Sequence, residues 1–254
     1  TPSNSSAASD VYKRQVLIKY FLTKDNSMFY YDSTFLILIP AMLIAAWAQL
    51  KVSSSFDRYS RVSTAKGYTG AQVARMLLDS KGLYNVPVEL IPGKLSDHYD
   101  PSKRVMRLSK DVYYGNSVAS IGVAAHETGH AIQHLESYSP LVIRNTIVPI
   151  VNISSQASWI LFFIGILMGA SSLTRIGIIL FSAVVLFQLI TLPVEFDASK
   201  RALVLLENKG ILYKEEVNGA KKVLSAAAMT YVAAALTAIS QLLRLIVLSN
   251  RRND

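Results

Sequence analysis

The stretch IGIILFSAVVLFQLITLPVE, residues 176–195, carries no charge until its last position, which is Glu195. Its uncharged part, Ile176 to Val194, falls within the range of about 17–25 residues that crosses a bilayer as a helix. An acid at the end of such a span is costly unless it has a role or meets water. The run therefore predicts a membrane helix that delivers a carboxylate to one face of the bilayer.

Working outward, a second apolar run from about Ile147 to Ala170 precedes it, and only ASSLTR lies between the two. They read as a hairpin of spans, so the chain before Ile147 lies on the same side as Glu195. Gly165 and Gly169 form a small-xxx-small pair in the first arm, suited to close helix contact. TFLILIPAMLIAAWAQL, residues 34–50, is a further uncharged block, and Val223 to about Ser249 is Ala- and Leu-rich, with Gln241 and Arg244 near its end. The fold class this predicts is mainly α, a multi-pass helical membrane protein with about four spans.

Composition agrees. Of 254 residues, 51% are hydrophobic and 17% charged, whereas a soluble domain carries about 25% charged. Mean hydropathy is +0.32. A disordered chain is excluded, and the lack of internal self-similarity argues against a solenoid. The absence of cysteine excludes a disulfide framework, a thiolate metal site and a cysteine nucleophile. The net charge of +9 is read as loops facing anionic lipid rather than as a nucleic-acid surface.

The boundaries that follow are 28–50 for the first span, 51–146 for a polar domain and 147–194 for the hairpin. A helix and loop at 195–222 come next, then the last span and tail at 223–254. Residues 1–27 are polar, aperiodic and lack the apolar core of a signal peptide. They read as a disordered or non-native extension, with Met28 as a natural start.

Within 51–146, Thr69 and Gln72 make a capping box for a helix stopped at Gly82. Val86 to Ile91 is β-rich, and Pro87 marks it as an edge strand. LSDHYDP, residues 95–101, reads as turn chemistry. RVMRLS, residues 104–109, reads as another strand, and Asn116 or Ser117 can cap a helix from Val118 to about Glu136.

That helix contains His126-Glu127-Thr128-Gly129-His130, an HExxH pattern. Residues i and i+4 share a helix face, so both imidazoles can reach one ion. Glu127 is turned about 100° away and can stand beside the metal as a base. Zinc lowers the pKa of its water toward neutral, and the carboxylate then takes the proton as the oxygen attacks a carbonyl. Three of the four histidines, His126, His130 and His134, lie within nine residues. Gly129 between the ligands costs about 1 kcal/mol of helix stability relative to Ala, which points to a close approach at that position.

A catalytic zinc needs a third protein ligand. His134 is excluded, because eight residues along a helix is about 12 Å and Zn–N bonds are about 2 Å. His98 reads either as a ligand or oxyanion donor, or as a solvated loop residue. Glu195 is the favoured ligand, because exactly the two spans of the hairpin separate it from His130. Glu207, Glu215 and Glu216 lie on the same side in an ordinary solvated stretch. The oxyanion donor stays open among His98, Tyr113, Tyr114 and Tyr231.

FYYDSTFLILIPAMLIAAWAQ (29–49), GYTGA (67–71), LSDHYDP (95–101), RLSKDVY (107–113), GVAAHETGHAIQH (122–134) and LPVEFDASKRA (192–202) together closely resemble the bacterial YugP-like neutral zinc metallopeptidases of the membrane. The resemblance covers most of the chain from Met28 onward. It implies a small α+β zincin-like catalytic domain inserted between spans one and two. It further implies His126, His130 and Glu195 as zinc ligands, Glu127 as catalytic base, and RVMRLS as the edge strand that aligns an extended substrate. More distantly the chain is similar to HtpX-type and prenyl-protein proteases, whose second motif runs Glu-Phe-x-Ala-Asp. Here the last position is Ser199, which leaves Asp197 as the acid that could support a ligand, although two residues along a helix turn it to another face.

Twelve Lys/Arg in 51–146, together with Lys200, Arg201, Lys209, Lys214, Lys221 and Lys222, face a hairpin turn with only Arg175. The bias predicts a bacterial plasma-membrane protein with its active site on the cytoplasmic side. Its expected partners are a peptide or membrane-protein substrate and the bilayer, with no nucleic acid. The expected activity is zinc-dependent peptide hydrolysis near the bilayer surface. The competing reading is a non-catalytic membrane scaffold with a structural zinc, for which Glu127 would have no use.

Overall fold

The computed structural model describes residues 33–251; the extension expected at 1–27 lies outside them. The first helix, α1 (Ile39–Tyr59), begins with Pro40 in its first turn, where a missing N–H leaves nothing unpaired. It continues past Leu50 through Lys51, Asp57 and Arg58. Helix α2 (Gly70–Asp79) opens on the capping box: Thr69 Oγ1 accepts from the Gln72 N–H and Gln72 Oε1 accepts from the Thr69 N–H. Gly82 follows it with φ +74°.

Three strands come next, β1 (Val88–Ile91), β2 (His98–Asp100) and β3 (Val105–Ser109), in the order β1-β3-β2. β1 is an edge strand, as Pro87 requires. β3 pairs parallel with β1 and antiparallel with β2, so both its edges are occupied and it cannot be the substrate-aligning edge strand. The outer edges belong to β1 and to β2, and β2 lies within the segment read from sequence as a turn. A short helix α3 (Lys110–Tyr113) leads to α4 (Val118–Leu135), whose cap is Ser117: its Oγ accepts from the Ser120 N–H.

The remainder is three long helices, α5 (Ser139–Met168), α6 (Ser171–Asn208) and α7 (Lys214–Asn250). Among the described residues these three are long and apolar enough to cross a membrane, and α1 is not one of them. The turn between α5 and α6 is tighter than the sequence suggested, since the Ser-Ser-Leu-Thr-Arg segment is already helical. Gly169 does not join Gly165 in a packing stripe but caps α5 in the left-handed region, at φ +66°. A Cβ on Gly165 would come within 2.5 Å of the Thr174 amide nitrogen, and that close approach holds the hairpin shut.

Length decides how these helices are used. At 1.5 Å per residue α6, with 38 residues, is about 57 Å long, nearly twice the ~30 Å hydrocarbon thickness. One end of the bundle has an aromatic core of Phe162, Phe181, Val185 and Leu245. Around it Ile153 and Ile179 are 73% and 67% exposed, as lipid-facing side chains would be. The other end packs against the polar domain: Val73 and Leu77 of α2, Ile121 and Ala125 of α4, Ala202 and Leu206 of α6 and Leu224 of α7 form one core. The polar domain and the 195–222 region therefore share a single hydrophobic interior. The sheet rests on the other face of α4 through Met106, Leu108 and Ala124.

Candidate metal centre

α4 presents His126 and His130 one turn apart, with ring centroids 4.8 Å from each other. α6 crosses α4 at Gly129, where its backbone at Ala198 comes against the helix, and so brings Glu195 to the two imidazoles. His126 Nε2 lies 3.4 Å and His130 Nε2 3.5 Å from Glu195 Oε2. The three ligand atoms lie within 4.8 Å of one another and could hold a metal ion.

The residues fit zinc on two observations. Glu195 is 3% exposed, yet its Oε2 has no hydrogen-bond donor; leaving a buried acceptor unpaired costs about 1–3 kcal/mol or more. A cation at that point would satisfy it. The donor set itself, two imidazole nitrogens and one carboxylate, is that of catalytic zinc sites with a fourth position open.

Supporting side chains fix the rings. Gln133 Nε2 donates to the Val194 carbonyl and to Asp197 Oδ2, each at 2.8 Å. Both partners are acceptors, so Gln133 Oε1 must face His130 Nδ1, 3.0 Å away, and that nitrogen must carry the proton. His130 Nε2 is thereby left with its lone pair toward Glu195 in the neutral ring. Ser199 Oγ lies 3.1 Å from His126 Nδ1 and supports the second ring. Such outer partners orient ligands and fix their tautomers. Asp197 thus reaches the site through Gln133, which resolves the objection that it points to another face. Arg201 in turn donates to Asp197 at 2.5 Å and to Glu136. Burial pushes the His130 imidazole downward, but the Glu195 carboxylate beside it and the Glu127 charge outweigh it and raise its pKa.

Glu127 is 8% exposed, and its Oε2 accepts the Tyr99 N–H at 2.9 Å. The Tyr99 hydroxyl hydrogen-bonds His134 Nδ1 at 2.9 Å. One β2 residue therefore ties α4 at two points about two turns apart, and His134 is a structural partner outside the ligand cluster. His98 is exposed: its Nδ1 lies 2.8 Å from the Ser96 carbonyl oxygen and its Nε2 3.3 Å from Arg107 Nη1. It does not join the ligands.

A cavity of about 180 Å³ opens on His126, Glu127 and Glu195. Asp97, Ser199 and Tyr231 complete its polar wall, and Val52, Phe56, Val223 and Ala227 make it apolar on the side of α1 and α7. Burial raises the Asp97 carboxyl against the lowering hydrogen bonds from Ser109. Of the oxyanion candidates, Tyr231 lines this cavity, whereas Tyr113 and Tyr114 pack edge-to-face on each other at 4.9 Å. Sequence reasoning missed Asp97, Gln133 and the Ser199 contact. The one available signal was the position of Gln133, one helical turn after His130.

Three helices long and apolar enough to cross a membrane, joined to a polar domain at a His₂Glu donor set that could hold a metal ion, define a helical protein of membrane type with a candidate metal centre. Comparison with known proteins is more specific. Residues 34–250 match the family described as "Putative neutral zinc metallopeptidase", and the chain belongs to that family. It is 54% identical over 210 residues, 83% of this chain and 93% of the relative, to the protein named "Putative membrane protease YugP" of Bacillus subtilis (strain 168). No solved structure matches it.

Proposed function

We propose that the chain is a membrane-embedded zinc endopeptidase of zincin type that hydrolyses peptide bonds at the bilayer surface. The observation that carries this reading is the Glu127 carboxylate, held by the Tyr99 N–H within the same cavity as His126 and Glu195. A structural metal site needs no base in that position.

His126, His130 and Glu195 would hold the zinc, which when bound supplies Lewis-acid polarisation of a water and of the scissile carbonyl. Glu127 takes the proton of the attacking water on its carboxylate and passes it to the departing amine. Tyr231 offers a hydroxyl from α7 toward the developing oxyanion. The Asp197–Gln133 pair and Ser199 keep the two imidazoles aimed while charge moves. The apolar wall from Val52, Phe56 and Val223 suits a hydrophobic substrate side chain, as in a membrane protein or an unfolded peptide at the lipid surface. The free edge of β2 is the strand beside α4 along which such a peptide would extend.

The membrane placement belongs to the same reading. α1 enters the bilayer as a further span through its exposed apolar face of Leu43, Trp47 and Leu50. The Lys/Arg bias puts the metal centre on the cytoplasmic face of a bacterial plasma membrane. Nucleic acid has no part in it.

The test is metal analysis together with hydrolysis of an unfolded reporter in detergent. The parent protein should contain zinc and cleave. Glu127→Gln should keep the zinc and lose turnover by several orders of magnitude. A zinc-loaded parent that does not cleave, or an undiminished Glu127→Gln, would leave the site structural.

A further inference from the structure

A second concavity lies between α1 and α7 and shares no lining residue with the metal-centre cavity. It encloses about 860 Å³. α1 contributes Trp47, Lys51 and Arg58 to it, at helical spacings that place them on one stripe. α7 contributes Lys222 and Met229, two turns apart on one stripe, with Lys221 beside them. The two helices run antiparallel: Gly219 near the start of α7 faces the Tyr59 ring near the end of α1. Ala45 and Thr237 meet around another pocket farther along the pair. The apolar ends of the two stripes, Trp47 and Met229, therefore coincide, and so do their cationic ends.

The groove is consequently graded. One end presents Lys51, Arg58, Lys221 and Lys222 against a single carboxylate, Glu215. Among the described residues none of these four cations forms an ion pair; the Arg58 guanidinium lies 5.7 Å over the Tyr59 ring. Ser54, Asn218 and Ser225 add uncharged hydrogen-bonding groups beside them. The other end is an indole and a thioether facing the apolar length of both helices, with Trp47 52% exposed. Four cations facing one carboxylate within one concavity repel each other unless a further anion sits among them. An Arg fork and lysine point charges are the usual recognition of a phosphate, and tryptophan settles at the level of lipid headgroups.

We propose that this groove binds one anionic phospholipid, its phosphate among Lys51, Arg58, Lys221 and Lys222 and its acyl chains leaving past Trp47 and Met229. Basic pockets between membrane helices take anionic headgroups in this way. The graded polarity favours an amphiphile over a free phosphate, which would have no use for the apolar end.

The experiment uses Trp47 as reporter. The chain has two tryptophans, so Trp159→Phe leaves Trp47 alone. That protein is reconstituted into phosphatidylcholine vesicles in which about one lipid in ten is acyl-brominated, either phosphatidylglycerol or phosphatidylcholine. Brominated phosphatidylglycerol should quench Trp47 several-fold more than brominated phosphatidylcholine, and millimolar inorganic phosphate should leave that excess unchanged. Lys51→Gln/Lys221→Gln/Lys222→Gln should remove the excess, while Lys81→Gln/Lys209→Gln, away from the groove, should preserve it. Lys222→Gln alone, the milder variant, should lower the excess about twofold. The proposal is overturned by equal quenching by the two lipids, by an excess that survives the groove variants, by an equal loss in the Lys81/Lys209 variant, which would mean general surface attraction, or by displacement by inorganic phosphate. Quenching by neither lipid would overturn it together with the membrane placement of α1, whereas equal quenching would leave that placement intact.

Discussion

Gly129 and Ala198 meet backbone to backbone: a Cβ on Gly129 would fall 2.5 Å from the Ala198 carbonyl oxygen. This contact is where the histidine helix and the glutamate helix touch, so it sets the distance across which His126 and His130 face Glu195. Gly129→Ala gains about 1 kcal/mol of helix propensity but forces α6 away, at an overpacking cost of about 1–3 kcal/mol. The expected outcome is a lower melting temperature and a much weaker hold on zinc, because Glu195 moves with the backbone. Chelator competition alongside thermal unfolding checks it; a variant with parental zinc affinity would separate the glycine from the site.

The ring-orienting relay makes a separate prediction. Gln133→Leu fills nearly the same volume but takes the acceptor from His130 Nδ1 and one donor from Asp197. Removing a group that orients a ligand weakens metal binding about 10–100-fold. Zinc affinity should fall in that range while helical content stays parental. Ser199→Ala, which removes the weaker 3.1 Å contact to His126, should fall less.

What was legible in the sequence follows from the range of the interactions involved. The α2 and α4 caps, the HExxH face and the return of Glu195 depend on local periodicity or on hydropathy, and each can be read one segment at a time. β2 could not be read that way. Its three residues look like a turn, and they are held as a strand by backbone pairing with β3 and by the bonds of Tyr99 to Glu127 and His134, which are distant in sequence. The central place of β3 depends on β2 and was hidden with it. Asp197 was judged by its own helix face, whereas its contact with the site runs through Gln133 on another helix. Gly165 and Gly169 look alike as a pair, but one meets a neighbouring backbone and the other turns the chain.

The orientation is open to a direct measurement, since the chain has no cysteine. Cysteines at positions 102 and 209 should be protected from impermeant reagents in intact cells, and one at position 172, at the start of α6, should react. The opposite pattern would put the metal centre outside and reverse the sense of the Lys/Arg bias.

The last prediction concerns Glu195 and His134, which the geometry treats in opposite ways. Glu195 Oε2 stands 3.4 and 3.5 Å from the two imidazole nitrogens and has no hydrogen-bond donor. Glu195→Ala should therefore strip the zinc and abolish hydrolysis, because two ligands remain. Glu195→Asp should keep a fraction of both, since it preserves the charge and shortens the reach by about 1.5 Å, against Zn–O distances of about 2 Å. His134 instead holds the Tyr99 hydroxyl. His134→Ala should keep its zinc and lose only the outer of the two ties between β2 and α4, with a stability cost near the ~1 kcal/mol of one hydrogen bond. Faster amide exchange in β2, at unchanged zinc content, would report that loss. Zinc lost from His134→Ala and retained in Glu195→Ala would require a different ligand set, and with it a different role for the crossing at Gly129.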